Sequence, residues 1–203
     1  MKVLLLLVTV WGAAEGAAPF SHQLHLKLKL ECMTCHTETG ASTKPSDNLL
    51  PDKKVCLGCH QSVEIPAPPT TRVAHFSHQQ HLKMGNIAPV IAEAIDKKTY
   101  LQVPSTIRKY LDTDNACDAC HRGMADSAQV SAFNMPKMAD CIVCHNQIDN
   151  PFSCEKCHAK NDNLKPTSHV EGFITAHSSG KMNLDKASCT ICHGTGFRCL
   201  GCH

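Results

Sequence analysis

Little in this sequence suits an ordinary hydrophobic core. Aromatic residues make up 4% of the 203 residues, and the single tryptophan is Trp11. Large aromatic side chains dominate the energetics of most cores, so a supply this thin excludes a conventional aromatic-rich interior. Membrane-length apolar runs are missing too. In MKVLLLLVTVWGAAEG (1–16) the apolar stretch runs from Val3 to Trp11, nine residues, about half of the ~20 that a spanning helix needs. One lysine, then that stretch, then small residues is the order of a secretory signal peptide. Residues 1–16 are therefore expected to be cleaved on export, with a periplasmic or extracellular address. No later segment is long and apolar enough to span, so no transmembrane segment is expected after cleavage. Charge of one sign is also lacking. The 20 lysines and arginines against 18 acidic residues give a formal net charge of +2. Without a basic stripe, nucleic-acid binding is excluded, and so is polybasic membrane attachment.

Nor does any cysteine stand alone. All 14 lie in seven copies of one unit, Cys-x-x-Cys-His. The first four are Cys32, Cys35 and His36; Cys56, Cys59 and His60; Cys117, Cys120 and His121; and Cys141, Cys144 and His145. The last three are Cys154, Cys157 and His158; Cys189, Cys192 and His193; and Cys199, Cys202 and His203. An exported chain with an even cysteine count would ordinarily suggest a disulfide framework. Disulfides leave unexplained why a histidine follows every second cysteine. Structural zinc takes four ligands per site, and seven cysteine pairs do not divide into all-cysteine sites. Sites of two cysteines and two histidines would not hold the histidine to the adjacent position. The spacing is the attachment signature of c-type haem. The two cysteines each form a thioether to a porphyrin vinyl group, and the adjacent histidine coordinates the iron. Seven covalent haems are expected, with the polypeptide wrapped around them as its core. The expected fold class is a multihaem cytochrome c of short helices and loops around haems, with little or no β-sheet.

Seven further histidines remain for seven irons: His22, His25, His75, His78, His81, His169 and His177. Two pairs lie in near-identical surroundings, FSHQLHLK (20–27) and FSHQQHLK (76–83), which match at seven of eight positions. On a helix, residues three apart are neighbours, so each pair points towards two adjacent haems. His75, three residues before His78, extends the series. All seven are expected to be distal ligands. Methionine is the rival ligand, but Met84, Met124, Met135, Met138 and Met182 fall in no repeated context and are expected to fill gaps.

A Phe-x-His-x-x-His stretch ahead of Cys-x-x-Cys-His units resembles the class III low-potential multihaem cytochromes, small periplasmic electron carriers. The resemblance covers the histidine pairs and the attachment units. It implies that His22 serves the haem on Cys32 and Cys35, and His25 the haem on Cys56 and Cys59. It implies likewise that His78 serves the haem on Cys117 and Cys120, and His81 a later one. Two departures stand out: residues 82–116 separate the second histidine pair from its next unit, where 26–31 suffice in the first copy, and seven units exceed the small members.

After the signal peptide (1–16) the chain reads as a two-haem module (17–60), a linker (61–74) with Pro66, Pro68 and Pro69, and a five-haem module (75–203). Residues 88–101, APVIAEAIDKKTYL, suit an amphipathic helix, and TIRKYL (106–111) a second short one. LHLKLKL (24–30) alternates like a strand, but a helical or extended lead-in to the haems is the expectation. The insert is expected to pack as a lid over haem edges, with a partner-docking surface as the alternative.

Two functions compete. With two histidines on every iron, nothing else binds there, and the chain is an electron carrier rather than an enzyme. Its expected partners are redox proteins, within a membrane redox complex or by self-association through haem edges. The alternative is a catalytic multihaem reductase of a small oxyanion such as nitrite or hydroxylamine, which needs one haem with an open distal face.

Overall fold

The computed structural model describes residues 20–65, 67, 70–101, 106–145, 153–166, 168–182, 184 and 186–194. The expected signal segment, the three linker prolines and the last attachment unit (Cys199, Cys202 and His203) lie outside the described residues. Eight short α-helices occur among those described: α1 (His22–Leu26), α2 (Cys32–Cys35), α3 (Lys53–Leu57), α4 (His78–Lys83), α5 (Ala88–Asp96), α6 (Met138–Ile142), α7 (Phe173–Ser178) and α8 (Lys186–His193). Single 3-10 turns and loops join them. The described residues hold no β-sheet, and one isolated antiparallel bridge pairs Val73 with His158. None of the described helices is long and apolar enough to cross a membrane.

The attachment units produce much of this short-helix pattern. In five of them the histidine N–H donates to the carbonyl of the first cysteine four residues back: His36 to Cys32 (2.9 Å), His60 to Cys56 (2.9 Å), His121 to Cys117 (2.8 Å), His145 to Cys141 (2.8 Å) and His158 to Cys154 (2.9 Å). The sixth, Cys189 to His193, ends α8. One helical turn carries positions i, i+3 and i+4 on one side. Two thiols and one imidazole therefore share a side in each described unit, and nothing in the motif demands a longer helix.

Among the described residues, a conventional apolar core is found around the insert. Ala88, Ile91, Ala92, Ala94 and Ile95 of α5 pack with Tyr100, Ile107, Leu111, Ala119 and Ala139. The insert thus builds a core against the third attachment unit, through Ala119, and against the helix of the fourth, through Ala139. Helix α5 is shorter than residues 88–101. Pro89 sits in its first turn, and Lys98, at φ 58°, turns the chain left-handed. Lys98 N–H then donates to Ile95 C=O (3.0 Å) and Thr99 N–H to Ala94 C=O (2.9 Å), a Schellman closure. TIRKYL forms only a 3-10 turn, Arg108–Tyr110. The alternating leucines of 24–30 are not a strand: α1 runs through Leu26, and Lys29 at φ 60° breaks the chain direction.

Hydrogen bonds tie the first two units to the chain beyond the linker. Ser42 C=O accepts from Gln79 N–H (2.9 Å) and from the Ser77 hydroxyl (3.3 Å), and Gln23 N–H donates to Ser127 C=O (3.3 Å). At the linker's end, Ala74 and His75 N–H both donate to Cys157 C=O (2.7 and 3.2 Å).

Candidate metal centres

The two FSHQxHLK stretches fold alike in detail. In each, serine caps the helix: the Ser21 side chain accepts from Leu24 N–H (3.4 Å), and that of Ser77 from Gln80 N–H (3.2 Å). In each, phenylalanine packs on both histidines. Phe20 meets His22 edge-on at 4.8 Å and stacks on His25 at 4.6 Å. Phe76 does the same, at 4.7 Å to His78 and 4.4 Å to His81. The second histidine donates Nδ1–H to the serine carbonyl four residues back, His25 to Ser21 and His81 to Ser77, both at 2.8 Å. A carbonyl only accepts, so Nδ1 carries the proton and the Nε2 lone pair points away from the helix.

Each of these histidines faces the histidine of an attachment unit. His22 lies opposite His36 with ring centroids 6.2 Å apart and planes 8° from parallel. His78 lies opposite His121 at 6.4 Å and 13°. His25 faces His60 at 6.0 Å and 47°, and His81 faces His145 at 6.3 Å and 45°. The sequence repeat is thus a repeat of site geometry, with near-parallel rings at the first histidine and rings tilted by half a right angle at the second. A fifth pair, His169 and His193, stands at 6.1 Å and 6°. On α7, Phe173 stacks between His169 (5.1 Å) and His177 (5.6 Å).

These separations can be tested against a metal. An imidazole nitrogen sits about 2.0 Å from a metal it ligates. Two imidazoles on opposite sides of one ion therefore have centroids roughly 6.3 Å apart by the same bond length. All five pairs fall within 6.0–6.4 Å. Several attachment-unit histidines are also oriented by a backbone carbonyl, as metal-ligating histidines usually are. His36 donates Nδ1–H to Leu49 C=O (2.7 Å) and His158 to Arg72 C=O (2.9 Å), while His121 bonds the Asn134 backbone. Burial is the main cause that lowers the pKa of His22, His78 and His121 below the ordinary histidine value. It favours the neutral ring that can ligate. The described residues contain no cluster of three or more His, Cys, Asp or Glu arranged to hold a metal. The histidines come two to a site.

The attachment cysteines differ in their surroundings. Cys32 and Cys35 of the first unit are half-buried, as are Cys117 and Cys120 of the third, which sits against the insert core. In the fourth unit both Cys141 and Cys144 are exposed, and Cys144 N–H donates to Cys141 C=O (3.2 Å) within the turn. Helix α6 instead buries Ala139, Asp140 and Ile142. The seventh expected site, on Cys199 and Cys202 with His203, lies outside the described residues.

His75 and His158 are not brought into a facing pair with each other. His75 is exposed, and its N–H is tied to Cys157 C=O, next to the Val73–His158 bridge. No described ring stands opposite His158 at a comparable distance.

Sequence reasoning did not assign several residues that shape these sites. Phe20, Phe76 and Phe173 sandwich or edge His22, His25, His78, His81, His169 and His177; their recurrence beside histidine was the available signal. Arg122, directly after His121, is wholly buried and ion-pairs with buried Asp140, which directly precedes Cys141. Tyr100 hydroxyl donates to the same carboxylate (2.8 Å), and Arg122 also donates to Ala119 C=O (2.8 Å). Burial, and then the Asp140 charge, push the Tyr100 pKa up, so the phenol stays protonated. No periodicity or motif pointed to this cluster, because its members are far apart in sequence. No family model, curated protein or solved structure matches this chain.

Proposed function

We propose that the chain is an exported heptahaem c-type cytochrome that carries electrons, with the polypeptide wrapped around its haems. Five histidine pairs separated as two axial ligands of one iron would be are the observation that carries this reading. In each, one partner comes directly after a Cys-x-x-Cys turn that sets two sulfurs for thioether attachment. Haem iron held between two imidazoles takes up and releases single electrons at low potential. His36 with His22, His60 with His25, His121 with His78, His145 with His81 and His193 with His169 would hold five such groups. The cysteines of each unit would fix the macrocycle, backbone carbonyls would aim the Nε2 atoms of His25, His36 and His81, and the phenylalanines would keep the facing rings in place.

The distribution of apolar side chains supports the same reading. Leu24, Leu28 and Met84, all within a few residues of the paired histidines, are 60%, 70% and 60% exposed in the bare polypeptide. Apolar surface of this kind gains about 25 cal/mol per Å² when covered, and bound macrocycles would cover it. The proposed partners are redox proteins, in a membrane redox complex or through self-association at haem edges.

A second reading, a multihaem reductase of a small oxyanion, draws on one observation. His75 is exposed and its backbone is held at Cys157, so the fifth unit has no described histidine facing its own.

Haemochrome quantitation of the exported protein tests the main reading. Seven covalent haems are expected, and five or fewer in fully matured protein would overturn it. Carbon monoxide added to the reduced protein separates the two functions. No binding is expected of the carrier, whereas one equivalent bound would favour the reductase.

A further inference from the structure

The attachment units do not meet one another in sequence order. Helix α2, which carries the first unit, packs against α3, which carries the second. The first unit's Cys32 turns to the third unit. Asn115 donates Nδ2–H to Cys32 Sγ (3.4 Å) while its Oδ1 accepts from Cys117 N–H (3.0 Å), and the Cys32 and Cys117 thiols hydrogen-bond to each other. The third unit meets the fourth through the buried ion pair between Arg122, next to His121, and Asp140, next to Cys141. The second unit's Leu57, Gly58, Cys59 and His60 are all exposed.

We propose that the first four sites are strung in space in the order two, one, three, four, so that the second unit (Cys56–His60) is an end of that run. This rests on the electron-carrier reading. The chain's own order would run electrons from the first site through the second to the third. The spatial order instead makes the first site the junction and the second a terminus. The physical cause is the return of the chain after the linker: Ser77 and Gln79 bond Ser42, beside the first unit, so α4 and the third unit dock there rather than on the second.

The experiment uses the haem-loaded full chain, fully reduced, so that low-spin bis-histidine haems carry no unpaired spin. His25→Ala opens the second site to nitric oxide, which makes it paramagnetic. Double variants add His22→Ala (first site), His78→Ala (third) or His81→Ala (fourth), and pulsed electron paramagnetic resonance reads the dipolar coupling between the two labelled sites. Coupling is expected to be strong for sites two and one, several-fold weaker for two and three, and weaker still for two and four. The His22→Ala/His78→Ala protein should couple as strongly as the two-and-one pair. Coupling between two and three equal to that between two and one, or a weak one-and-three coupling, would overturn the order. Protein with fewer than seven haems, or with no nitrosyl signal in the single variants, would instead count against the carrier reading itself.

Discussion

At the residue scale, function here turns on single nitrogen atoms. His78 is placed by a serine cap, an aromatic edge and burial, and its ring stands where a ligand of the same iron as His121 would stand. His78→Ala, or His22→Ala, is expected to convert one low-spin haem to a form that binds carbon monoxide, at unchanged haem count. Absorption spectra with and without carbon monoxide check this, and seven low-spin haems after the substitution would assign that histidine to the surface. Arg122 and Asp140 do different work. Both are buried, and Arg122 has two further nitrogens, Nε and Nη1, with no hydrogen-bond partner among the described residues. A buried pair broken from one side leaves an uncompensated charge, at a cost of about 3–5 kcal/mol. Asp140→Ala is therefore expected to lower stability by about that much, read from denaturant titration by far-ultraviolet circular dichroism. Tyr100→Phe removes one hydrogen bond to a charged group and is expected to cost less.

At the element scale, the insert has a packing role of its own. Only α5 among the described helices buries a face of several aliphatic side chains, and its core joins the third and fourth units through Ala119 and Ala139. Ile91 is 1% exposed at the centre of that face. Truncating a buried isoleucine to alanine costs about 2–5 kcal/mol, so Ile91→Ala is expected to destabilise the folded protein by that amount while all haems remain attached. Thermal denaturation and haemochrome quantitation check the two halves of this expectation; haem loss would show that the core, rather than the motifs, governs attachment. The short helices of the attachment units need no such core. Their single turn arises from one backbone hydrogen bond per unit, and the sulfur-bonded macrocycle would hold what the apolar face of a longer helix holds elsewhere.

At the scale of the whole molecule, stability should depend on pH through the buried histidines. His22, His78 and His121 have folded pKa values below the ordinary value of 6.5, chiefly through burial. Between the folded and unfolded values the unfolded chain binds more protons, so stability rises with pH through that window. The contribution is fully present above the unfolded pKa and is lost as pH falls through the folded values. Coordination acts in the same direction, since a ligating nitrogen must be free of its proton. The melting temperature is therefore expected to fall as pH is lowered from about 7 to about 5, through the ordinary histidine pKa. A midpoint that stays constant or rises over that range would contradict the assignment of these rings as neutral and buried.

What the sequence determined by itself is local chemistry. Each Cys-x-x-Cys-His unit among the described residues makes a single-turn site, because the spacing of two thiols and an imidazole is a property of five consecutive residues. The FSHQxHLK repeat likewise specifies a capped helix with two histidines three apart, and the match between α1 and α4 comes from that identity. Tertiary structure alone decided the separations and tilts of the facing rings, and that His81 stands opposite His145. His22 meets His36 and His81 meets His145 because the return of the chain past Ser42 and the docking of α1 against residues 124–127 set those distances, and neither contact is encoded in a periodicity. The same holds for the meeting of Cys32 with Cys117, for His75 standing exposed at Cys157, and for the Arg122–Asp140–Tyr100 cluster. Each joins residues far apart in sequence whose approach depends on the packing of everything between them.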